Sequence, residues 1–150
     1  MVAAGNSKLI FRLGGIGFLL TLSDVVEVVD QISEDLNPAR SDLGLGIVAA
    51  LLFRQTWIPA VDPTLKLDIF SEVNLKDKIA VILSGPEGNW ALLVDQIGEL
   101  SSSDNFQSCE IPFLLKVSAL GSYSQVQLLH QEPMIVFEPE LYYGSVSELV

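Results

Sequence analysis

The chain has 150 residues, 49% hydrophobic and 18% charged, and 19 acidic against 8 basic side chains give it a formal net charge of −11. A domain of this length buries about 68–70% of the surface its unfolded form exposes, so one compact unit spanning residues 1–150 is expected without a stabilising disulfide or metal. The negative field repels phosphate backbones, which excludes nucleic acid as an expected partner, and the lone Cys109 excludes an intrachain disulfide and suits a reducing, cytoplasmic compartment.

From the N-terminus, Lys8 and Arg12 lie in an alternating pattern with no long apolar core, unlike a signal peptide. Residues 8–13 and 16–22 flank Gly14-Gly15 and read as a β-hairpin, the glycines supplying the positive φ of a tight turn. Residues 25–29 are a β-branched run broken by Glu27. Residues 33–42 are polar, contain Asn37-Pro38, and read as a loop. The apolar run 43–53 is open between a short buried helix and a strand, and is too short to span a membrane. Direct membrane insertion is therefore not expected. Residues 57–61, 79–84 and 90–94 read as strands, with 85–89 as a hairpin loop and 101–105 as a surface loop. Residues 126–129 and 134–137 read as closing strands about a turn at 131–133. Many short strands at close spacing indicate an all-β barrel or sandwich.

The residues offer little for catalysis. His130 is the single histidine, set in an apolar segment, and reads as a packed side chain; one His and one Cys cannot build the usual zinc site. No cofactor or metal is expected. Gly14-Gly15-Ile16-Gly17 lies between strands and matches no phosphate-binding loop. Asp62 and Asp95 each end an apolar run. Such a pair could serve hydrolysis, but strand-end Asp ordinarily bonds the following turn, and that structural role is the one expected of both. Trp57 and Trp90 read as packing residues. Arg54, between Phe53 and Trp57, either packs its stem on a neighbour or anchors a turn or partner through its guanidinium.

Three phrases together resemble the CheW-like coupling domains of bacterial chemosensory systems. The first is the opening hairpin followed by Val25-Val26-Glu27-Val28, similar to the family's V-x-E-V/I. The second is Arg54-Gln55-Thr56-Trp57-Ile58-Pro59-Ala60-Val61-Asp62, similar to R-G-x-x-x-P-V-x-D. The third is Leu92-Leu93-Val94-Asp95-Gln96-Ile97-Gly98-Glu99-Leu100, similar to G-x-x-V-D-x-V-x-E-V. Met134-Ile135-Val136-Phe137 resembles the family's last strand. The chain departs from the pattern at Gln55, where the family has Gly, at Pro63, and in residues 137–143.

The resemblance implies two stacked, small, SH3-like five-stranded β-barrels sharing a core, with short helical segments and an apolar groove between the barrels. It implies a non-catalytic adaptor whose partners are a methyl-accepting chemoreceptor and the regulatory domain of a CheA-type histidine kinase. Val25, Glu27, Val28 and Arg54 would lie at the receptor groove, and Asp62 and Asp95 would be structural strand ends. The alternative is a small-ligand-binding β-barrel with a pocket lined by Trp57 or Trp90.

Overall fold

A computed structural model of the chain describes residues 7–42, 46–64, 69–102, 106–109, 126–129 and 132–139. Strands β1 (Ser7–Leu13) and β2 (Ile16–Thr21) form the opening hairpin. Gly14 and Gly15 turn it with φ of 55° and 84°, the backbone of a two-residue primed turn. Gly14 is required on a second count, because a Cβ there would collide with the Phe70 carbonyl. A 3-10 turn, Leu22–Asp24, leads into β3 (Val25–Val29).

The chain continues through β4 (Leu36–Asn37), β5 (Ile47–Phe53) and β6 (Thr56–Val61) to a second 3-10 turn, Leu75–Asp77. Next come β7 (Ile79–Gly85), β8 (Gly88–Val94) and β9 (Gln96–Ser102). The described strands end with β10 (Phe106–Cys109), β11 (Val126–Leu129) and β12 (Glu132–Val136).

These strands form two sheets, ordered β10-β11-β12-β2-β1-β9 and β3-β7-β8-β6-β5-β4. Neighbours are antiparallel except β12 with β2 and β6 with β8, which run parallel. The architecture is all-β. The chain enters the second sheet after β2 and returns to the first after β8. Asp95 alone separates β8 from β9, so the return is made at one residue.

The strands alternate their side chains between a core shared by the two sheets and a separate apolar cluster on the far face of each, that of the first sheet being Ile10, Leu19, Leu129 and Met134. Leu9, Phe11, Leu13, Phe18 and Leu20 of the first sheet meet Val81, Leu83, Trp90, Leu92 and Val94 of the second. Phe11 stacks on Phe18, its cross-strand partner, with ring centres 5.1 Å apart. The other face of the second sheet encloses Leu51, Ile58, Ile82 and Leu93 with Ala49, Ala60, Ala80 and Ala91. β7 and β8 are thus buried on both faces, which is why they read as continuous apolar runs.

Several local expectations change, among them residues 101 and 102, expected in a loop, which extend β9. Among the described residues each sheet holds six strands where five were expected, and its two outermost strands are not paired with each other. The extra strand of the second sheet is β4, two residues long and hidden in the polar run 33–42; its Leu36 opposes Leu51. Gly85 pairs with Gly88, so the hairpin loop is only Pro86-Glu87, with Gly88 at φ 118°. Pro133, expected in a turn, lies in β12 opposite Leu128.

The apolar run 43–53 resolves as strand from Ile47. Residues 43–45, 103–105, His130 and the closing stretch 140–143 lie outside the described residues. No helix among the described residues is long and apolar enough to cross a membrane, a statement that does not extend to strands.

Candidate functional site

β3 is the edge of the second sheet beyond β7, and a register shift between Val25 and Glu27 lets the strand bulge. Val26 and Val28 are 39% and 40% exposed, while Val25 packs against the core between the sheets. Glu27 does not sit alone. Arg54 Nη2 donates to its Oε1 at 3.3 Å, tying the free edge strand to the β5–β6 turn. The structure therefore brings together two of the sequence-predicted residues from distant parts of the chain.

The turn that carries Arg54 is conformationally costly. Phe53 pairs with Thr56, leaving Arg54 and Gln55 as a two-residue loop with φ of 50° and 66°. Such a loop favours Asn-Gly or Gly-Gly, and each L-residue held there costs about 1–2 kcal/mol. Gln55 thus keeps the positive φ that a glycine would take freely. The conformation also places the Arg54 guanidinium carbon 4.8 Å from the centre of the Phe53 ring, so stacking and ion pairing orient it together.

Asp62 and Asp95 meet at a cation that the sequence patterns did not single out. Lys78, immediately before β7, is 2% exposed; its Nζ lies 2.8 Å from Asp95 Oδ1 and 3.4 Å from Asp62 Oδ2. Asp95 Oδ2 also accepts the Gly14 N–H at 2.8 Å, and the Ser71 hydroxyl donates to the same carboxylate at 2.7 Å. The Asp95 N–H in turn donates to the Arg12 carbonyl at 3.0 Å. Asp62 Oδ1 accepts from the Thr64 N–H and hydroxyl, closing the turn after β6.

This cluster holds the β1–β2 turn of one sheet against strand ends of the other. Burial alone would push the Asp95 carboxyl up. The Gly14 N–H, the Lys78 ammonium and the Ser71 hydroxyl all favour its charged form and hold it below the ordinary value. The available signal for Lys78 was a lysine abutting an apolar strand in a cation-poor chain with two strand-end aspartates to satisfy. Ser71 lies in an irregular stretch and carried no signal.

The two tryptophans have separate fates. Trp90 is 1% exposed in the core between the sheets, whereas Trp57 is 41% exposed with the Arg40 guanidinium carbon 5.0 Å from its ring centre. A polar cavity of about 530 Å³, lined by Asp30, Gln31, Glu34, Lys76 and Asp77 among others, contains neither. Among the described residues no three His, Cys, Asp or Glu side chains are grouped to hold a metal ion.

No family model matches the chain, and neither does any curated protein. Among solved structures, the scaffolding protein TtCheW from Thermoanaerobacter tengcongensis superposes with a TM-score of 0.72 at 18% identity, covering 92% of each chain. The chain has a CheW-like fold. At that identity the likeness rests on the arrangement of strands. In this CheW-like frame Glu27 and Arg54 bridge an edge of the second sheet, and the Lys78 cluster fastens the two sheets to one another.

Proposed function

We propose that the chain is a non-catalytic adaptor that couples chemoreceptors to a CheA-type histidine kinase. All of residues 1–150 would act as one cytoplasmic unit with two β-subdomains. The observation that carries this reading is the CheW-like fold extending over 92% of the chain. Val25, Glu27, Val28 and Arg54 form the receptor-facing edge in this reading. An exposed valine strip gives apolar area, and a solvent-accessible ion pair can redirect hydrogen-bond donors to a partner at little cost. Moderate, transient affinity suits contacts of the small area common in signalling.

The chemistry at Asp62 and Asp95 supports a structural role for both. A catalytic acid needs a carboxyl raised towards neutrality, and Asp95 is held lower than usual by its donors. The ligand-pocket alternative gains nothing from Trp90, which is sealed in the core, or from Trp57, which faces outward under Arg40.

Calorimetric titration against the isolated regulatory domain of a cognate CheA-type kinase tests the adaptor role. Saturable binding at micromolar affinity or tighter is expected. Absence of heat from a folded sample would retain the fold and remove the role.

A further inference from the structure

We infer that the outward face of the β5–β6 hairpin, centred on Trp57, Leu52 and Arg40, docks a partner segment presenting an apolar side chain flanked by carboxylates. Leu52 and Trp57 stand directly opposite each other, at 37% and 41% exposure. The Leu52 N–H donates to the Asp35 carbonyl at 2.8 Å, away from β6. The Leu52–Trp57 pair is therefore the non-hydrogen-bonded kind, in which facing side chains approach most closely. The same face runs on through Ala50 and Pro59 to Val61, which enters the core between the sheets. The exposed apolar area thus adjoins a rigid, packed base.

Charge selects the occupant. Arg12 is paired with Glu132 and Arg54 with Glu27, but no carboxylate among the described residues is in ion-pair range of Arg40. This is notable in a chain with 19 acidic side chains and 8 basic ones. A guanidinium over an indole keeps its in-plane N–H groups free for a carboxylate, and Trp and Arg are both enriched among the residues that dominate interface energetics. A basic segment would meet repulsion at Arg40 and leave those donors unused. The surface adjoins the receptor-facing edge, because the β5–β6 turn between Leu52 and Trp57 carries Arg54, the partner of Glu27.

Panning a random-peptide phage library on the immobilised chain tests this, with sequencing of the enriched clones. The expected result is a consensus with Leu, Ile or Phe beside Asp or Glu. Recovery should fall at least tenfold on Trp57→Ala, and the consensus should turn to Lys or Arg on Arg40→Glu, both variants first shown to melt at the parent temperature. Should Trp57→Ala fail to fold, Leu52→Ser and Arg40→Glu decide by the same readouts. No enrichment over bare wells, a basic or uncharged consensus, or recovery indifferent to these substitutions overturns the inference. The assay contains neither receptor nor kinase, so its failure is distinguishable from failure of the adaptor reading.

Discussion

Lys78 Nζ lies 2.8 Å from Asp95 Oδ1 at the single residue where the chain passes from the second sheet back to the first. The pair is nearly sealed from water, with side-chain exposures of 2% and 8%. Removing one partner strands the other charge in a poorly solvated place, a change that costs about 3–5 kcal/mol. Lys78→Met should therefore lower the free energy of unfolding in urea by about 3 kcal/mol. A loss under 1 kcal/mol would mean that water already relieves the two aspartates.

Acid should loosen the same cluster. Asp95 has a folded-state pKa below its ordinary value of 3.8, so its contribution is fully present above that value and is lost as pH falls through the lower one. Glu132, lowered by its hydrogen bonds from Arg12, acts in the same direction. Stability should hold steady near pH 5–7 and fall below about pH 4. Asp95→Asn should be less stable at neutral pH and show a shallower acid limb in melts taken from pH 6 to 3.

The β5–β6 turn makes the opposite kind of prediction. Gln55 at φ 66° carries a strain that glycine lacks, partly offset by glycine's greater freedom in the unfolded chain. Gln55→Gly should stabilise the protein by about 0.5–1 kcal/mol, read as a higher urea midpoint at unchanged slope.

Glu27 and Arg54 separate stability from recognition. Their side chains are 46% and 64% exposed, and pairs this open contribute about 0.2–1 kcal/mol. Arg54→Ala should melt within a few degrees of the parent yet bind a receptor-tip fragment at least tenfold more weakly by calorimetry. Unchanged binding by the folded variant would remove Arg54 from the receptor-facing edge.

The sequence was most legible where one local rule dominates. Gly14-Gly15 announced its turn because both positions need positive φ, and the run 79–94 announced β7 and β8 because strands buried on both faces must be apolar throughout. β4 was invisible because Leu36 and Asn37 are too few to show a period; tertiary pairing with β5 makes the strand. Lys78 escaped notice because its meaning depends on Asp62 and Asp95, brought to it only when the sheets close. Arg40 over Trp57 is a contact of the same kind, between residues whose adjacency no spacing encodes.

Reconstitution with receptor-bearing membranes reads the bridging of receptor to kinase. Vesicles carrying the receptor are sedimented with the kinase, with and without this chain, and the pelleted kinase is quantified. Kinase should enter the pellet only when the chain is present, and less of it with Arg54→Ala. Kinase that sediments equally without the chain, or a chain that pellets alone and leaves the kinase in solution, would contradict it.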